Sequence, residues 1–190
     1  SIDNLPIELK KQQNRGLQIR LCEGDLRSHK KYYYVLCDYP RDNLFTFDDD
    51  IFYPSNAISS VLDAAKSFPK CVVGRFSNQI KLDDENKVCF TKNKYDSSFV
   101  LQPSWSTFIG SGGGALYPAG SLPEIAKEKD IFMSICMTAD DVWLNSMCRY
   151  SGYKVVTVMR RCPLLEISNR NNTTLYSINA PLQYKILLVM

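Results

Sequence analysis

Apolar and polar positions along the chain switch repeatedly between helical and strand periods. Residues 6–14 predict a short polar helix, and residues 17–22 alternate as a strand does. Ser28 is placed to cap a helix over 29–38, which Pro40 ends. Residues 43–47 form a short, mostly apolar run between turn residues, as expected of a strand buried on both faces. It leads directly into Asp48-Asp49-Asp50. Pro54-Ser55-Asn56 opens a helix to about residue 67, with Ile58, Leu62 and Ala65 on one face. Residues 70–75 predict a second buried strand. The alternating pieces 79–82 and 87–90 predict a hairpin within a polar stretch. Residues 105–109 are strand-like and meet Gly110-Ser111-Gly112-Gly113-Gly114. A short helix over 121–129 and a longer one over 138–150 follow, the latter with apolar Val142, Leu144, Met147 and Cys148. Residues 154–159 are a last β-branched strand, and the pattern fades beyond Arg161. Strands alternating with helices predict an α/β fold: a mainly parallel sheet flanked by helices, with a small antiparallel insertion, over 1–190 as one domain.

Composition narrows the class. A chain of 190 residues, 45% hydrophobic, can bury one sizeable core. The formal charge of +3, with no dense basic block, gives no argument for a nucleic-acid partner. No apolar run approaches the roughly 18 residues of a membrane span. The seven cysteines stand singly with no C-x-x-C pair, which argues against structural zinc and for small buried residues in a reducing cytoplasm. His29 is the one histidine, so mechanisms that need two are excluded.

Four segments carry candidate chemistry. Asp48, Asp49 and Asp50 repel one another unless something positive sits among them. They follow a buried strand, at the sheet edge where α/β proteins bind ligands. In a turn, Asp48 and Asp50 can converge on a hard cation, Mn²⁺ or Mg²⁺, bridged to phosphates. A solvated acidic turn explains the run equally well. Gly112, Gly113 and Gly114 permit close backbone approach to a ligand or simply make a flexible turn, and they fit neither common phosphate-loop pattern. Thr138-Ala139-Asp140-Asp141 resembles a capping box, or presents a general base from the same edge. His29-Lys30-Lys31 offers ammonium groups to a diphosphate, or a solvated basic face.

In this order the segments resemble the GT-A glycosyltransferases, in particular bacterial polysaccharide-type enzymes. The matching stretches are H-K-K-Y-Y-Y (29–34), D-D-D-I-F-Y-P (48–54), G-G-G-A-L-Y-P (112–118) and T-A-D-D-V-W (138–143). The resemblance implies an inverting hexosyltransferase that moves a sugar from a nucleoside-diphosphate donor to a saccharide or lipid-linked acceptor. It implies that Asp48 and Asp50 hold the metal and that Asp141 deprotonates the acceptor. Lys30, Lys31, Asp49 and Gly112–114 would face the donor, while Trp105, Asp140 and Trp143 would touch sugar or acceptor. It implies a cytoplasmic enzyme, with peripheral association at the inner membrane face where the acceptor is lipid-linked. Family members carry a βα unit before more chain and then the metal motif. With 47 residues before Asp48 and Ser at position 1, the chain is expected to lack that unit.

Two other classes compete. An aspartate-nucleophile phosphatase would place Asp48 and Asp50 in D-x-D-x-[TV], but Phe52 stands where a hydroxyl or small residue belongs. A non-catalytic nucleotide-sugar-binding fragment of the same fold is the other.

Overall fold

A computed structural model describes residues 4–85, 88–90, 100–159 and 165–166. Its centre is a four-stranded sheet in the order β1-β7-β3-β8. The strands are β1 (Leu44–Thr46), β7 (Ala115–Tyr117), β3 (Cys71–Gly74) and β8 (Lys154–Thr157). The three expected strands at 43–47, 70–75 and 154–159 thus share one sheet. Only β3 and β8 run parallel, with Gly74 opposite Thr157. β7 lies between β1 and β3, antiparallel to both. The expected mainly parallel sheet is therefore corrected to a mixed one. β7 is three residues long and follows directly on the glycines, too short a run to announce a strand.

Alternate strand residues feed two cores, as the two-residue period requires. Val72 and Val155 face a cluster with Leu26, Tyr32, Phe132, Trp143 and Leu144. Val73 and Val156 face Val61, Ala64 and Leu116 on the opposite side. The first cluster is covered by α2 (Tyr33–Asp38), α4 (Lys129–Cys136) and α5 (Asp140–Tyr150), the second by α3 (Ala57–Ser67). A second, antiparallel sheet, β5-β4-β6, continues from β3. It pairs β4 (Ser77–Leu82) with β5 (Val88–Phe90) as the expected hairpin, and with β6 (Thr107–Ile109). The short β2 (Ile51–Phe52) pairs with β9 (Leu165–Glu166).

Several local expectations are revised. α1 (Ile7–Gln13) forms, but residues 17–22 join no strand, and Leu17 and Leu21 are exposed. On α3 the buried stripe is Ala57, Val61 and Ala64, leaving Ile58 and Leu62 exposed. Both stripes have helical spacing; the one with two alanines lets the helix approach the sheet more closely. The helix expected over 29–38 divides into a 3-10 turn, Arg27–Lys31, and α2. Three residues per turn stacks His29 above Tyr32, and both are fully buried. Among the described residues, Ser28 caps neither element and its buried Oγ has no partner. The helix expected over 121–129 is a 3-10 turn, Glu124–Lys127, ahead of the unforeseen α4. Cys71 and Cys148 are buried, whereas Cys22 and Cys37 are exposed.

Candidate functional site at the sheet edge

Lys31 ties the acidic segments together. Its side chain is 15% exposed, and Nζ lies 2.5 Å from Asp48 Oδ1 and 3.3 Å from Asp140 Oδ2. It also donates to Ser111 Oγ at 3.1 Å. Ser111 is the second hub. Its Oγ donates to Asp140 Oδ2 at 2.8 Å and its amide donates to Asp141 Oδ1 at 2.7 Å. Its carbonyl accepts from Thr46 Oγ1 on β1 at 2.8 Å. Segments far apart in sequence (residues 31, 46–48, 111 and 140–141) thus meet in one hydrogen-bonded cluster.

The glycine loop is shaped by what it must pass. A Cβ on Gly112 would overlap the Asp48 carboxylate, so only glycine admits that approach. Gly114 has φ +93°, where other residues are strained. Tyr53 closes the turn after the acidic run. Its hydroxyl accepts from the Asp48 amide at 2.8 Å and donates to the Gly112 carbonyl. Asn145 fixes the entry to the loop from α5. Its Oδ1 accepts from the Ile109 amide at 3.0 Å, and its Nδ2 donates to the Ile109 carbonyl at 2.8 Å.

Three carboxylates around one ammonium perturb one another. Burial works against the Lys31 charge, but Asp140, Asp48 and Asp141 together hold its ammonium well above the usual lysine range. Burial raises Asp48, with Lys31 opposing. Burial and then Asp140 push Asp141 up to about 6, against Lys31 and the Ser111 hydrogen bonds. His29 lies elsewhere. Its Nε2 donates to the Cys136 carbonyl at 2.8 Å, its ring stacks on Phe132 at 4.3 Å, and burial pushes it below the usual histidine range. It is a neutral core residue.

The structure brings together Lys31, Asp48, Asp140, Asp141 and Gly112, with Gly113 and Gly114 on the same loop. Asp49 and Asp50 are exposed at the turn, and Asp50 is near enough to raise Asp48. It does not bring in Lys30, whose exposed ammonium stands 4.0 Å from Asp25. Trp105 is 50% exposed beyond the far end of β6, with Lys154 5.7 Å above its ring. Lys154 begins β8, so Trp105 marks the opposite edge of the sheet. Trp143 is buried, and its Nε1 donates to the Ala126 carbonyl at 3.1 Å. The expected cap position is shifted by one residue from Thr138. Ala139 occupies the cap position without a side-chain bond, and Asp141 turns to Ser111 instead. Ser111 and Tyr53 were visible only as members of their motifs; a hydroxyl among glycines was the one signal for Ser111.

Among the described residues, no three His, Cys, Asp or Glu side chains form a preformed metal cage. The donor set at the turn, a half-buried Asp48 and an exposed Asp50, is hard oxygen. It suits an ion that keeps several waters and takes the rest of its shell from phosphates. No protein-family model, curated protein or solved structure matches the chain. Among the described residues, no helix is long and apolar enough to cross a membrane.

Proposed function

We propose that the chain is a GT-A-type glycosyltransferase that uses Mn²⁺ or Mg²⁺ to move a sugar from a nucleoside-diphosphate donor to a saccharide or lipid-linked acceptor. One observation carries the reading. The acidic turn, the glycine loop and the later acid pair, far apart in the chain, converge around Lys31 beyond the end of β1. A solvated turn, a flexible loop and a helix cap have no reason to share a buried ammonium.

In this reading Asp48 and Asp50 hold the ion, which when bound offsets charge developing on the leaving diphosphate. Lys31, already held at Asp48, adds a fixed positive charge beside the phosphates. The Gly112 backbone keeps the approach to Asp48 open. Asp140, buried and bonded to Lys31 and Ser111, positions both. Asp141 is the general base. Held near 6, it is ionised at neutral pH yet basic enough to take the acceptor hydroxyl proton. Ser111 engages Oδ1, which assigns the proton to Oδ2.

The test is transfer from a panel of nucleoside-diphosphate sugars with Mn²⁺, for wild type and Asp141→Asn. The expected result is a turnover loss of about 10²–10⁴-fold in the variant, with donor affinity little changed, because an amide cannot accept the proton. Transfer by Asp141→Asn at near wild-type rate would remove Asp141 as the base and favour a retaining mechanism.

A further inference from the structure

Arg75 immediately follows β3 and is only 3% exposed. Among the described residues, Nε and Nη1 have no hydrogen-bond partner, and Nη2 reaches only the Met159 thioether at 3.7 Å. Among the described residues no carboxylate pairs with it. A buried guanidinium carries a full charge at any ordinary pH, and burying an unpaired charge costs several kcal/mol. Natural folds keep such a group where a counter-charge arrives from outside.

Its position says where that counter-charge would come from. The Arg75 amide donates to the Gly114 carbonyl at 3.1 Å. A Cβ on Gly114 would lie 3.6 Å from Arg75 Cδ and 3.4 and 3.8 Å from the ring edges of Phe47 and Phe45. Gly112, two residues earlier on that loop, abuts Asp48. Arg75 and Asp48 therefore flank one short loop, at the carboxyl end of the parallel β3–β8 pair. The flank around Asp48 is acidic and already holds a cation. The flank around Arg75 is apolar and holds an uncompensated one.

We propose that Arg75 anchors an oxyanion-binding site, separate from the Lys31 cluster, which takes a carboxylate or phosphate group of a ligand on the Gly114 side of the loop. The guanidinium fork suits a planar carboxylate or a phosphate edge, and the aromatic surroundings strengthen the bond by excluding water. Within the glycosyltransferase reading this makes an acidic sugar, or a second phosphate, the recognised group. The binding site itself does not depend on that reading.

The experiment uses the full chain with three probes: glucuronate, inorganic pyrophosphate and neutral glucose. Thermal unfolding of wild type and Arg75→Met is followed with each, without divalent metal. An anion at about 100 times its Kd should raise the wild-type midpoint by roughly 5–10 °C, glucose should not, and Arg75→Met should lose the rise. Glucuronate acting alone identifies a carboxylate site and pyrophosphate alone a phosphate site. In parallel, the Arg75 Nε–H resonance of wild type, assigned by its absence in Arg75→Lys, should shift on addition of the same anion. That second measurement stands if Arg75→Met does not fold. No midpoint rise and no resonance shift with either anion would overturn the proposal, as would a rise that Arg75→Met retains. Sugar transfer with neutral donors bears only on the glycosyltransferase reading, so the two can fail separately.

Discussion

Lys31 and Arg75 are both buried cations beside one glycine loop, and their surroundings are opposite. Lys31 has two carboxylates and a hydroxyl within 3.3 Å. Among the described residues the Arg75 guanidinium meets only a thioether, on the side of Gly114 where Phe47 and Phe45 also lie. Lys31 is part of the fold, because it joins three other segments and neutralises Asp48 and Asp140. Arg75 is a buried charge without a counter-charge among the described residues, which is why the oxyanion site is proposed there.

The largest effect should come from Lys31→Met. It strands a buried Asp140 and a half-buried Asp48 without their cation, and should cost about 3 kcal/mol of stability. Denaturant unfolding would measure it; a loss under about 1 kcal/mol would mean that Lys31 is an ordinary surface pair. Adding Asp140→Asn to Lys31→Met should recover roughly 1–3 kcal/mol, because one stranded charge is gone. Strict additivity of the two changes would break the picture of a shared network.

The pH dependence of Asp141 is a smaller effect of known sign. Its folded value is raised, so the stability it lends is fully present below about 4 and lost as pH rises through about 6. Asp141→Asn should therefore be as stable as wild type at pH 7, or more stable by up to about 2 kcal/mol, with the gain vanishing near pH 4. Transfer activity should run the opposite way, falling as pH drops through 6. Chemical denaturation at pH 4, 5, 6 and 7 checks the first part; a variant less stable at pH 7 would restore a capping role. The smallest effect should be Arg75→Met without ligand. Replacing an unpaired buried charge by an apolar chain should leave stability within about 1 kcal/mol, or improve it. A loss of 3 kcal/mol or more would reveal a structural partner and break the contrast with Lys31.

Much of this was legible in the chain before any coordinates. Three of the four strands of the central sheet, the hairpin and α5 were marked by β-branched runs and helical spacing between turn residues. The three converging segments stood out because acids and glycines at strand ends are chemically odd. What was not legible depends on tertiary partners. β7 is a three-residue strand recognisable only through its two neighbours. Nothing in His29-Lys30-Lys31 says that Lys31 turns inward while Lys30 faces water; the 3-10 turn decides that by burying His29. Trp143 belongs to the core and Trp105 to the far edge, though the family resemblance implied sugar or acceptor contacts for both. Arg75 looked like the polar end of a buried strand, and only its missing partner sets it apart.

The central claim is that the Asp48–Asp50 turn takes a metal and a diphosphate together, at the cluster organised by Lys31. Calorimetric titration of a nucleoside diphosphate, with and without Mn²⁺, tests it most directly on wild type, Asp50→Ala and Asp49→Ala. The account predicts weak binding of either component alone and at least roughly tenfold tighter nucleotide binding with Mn²⁺, because phosphate oxygens complete the shell. It predicts that Asp50→Ala abolishes that coupling and that Asp49→Ala largely keeps it. Nucleotide binding indifferent to Mn²⁺ and to Asp50 would contradict it.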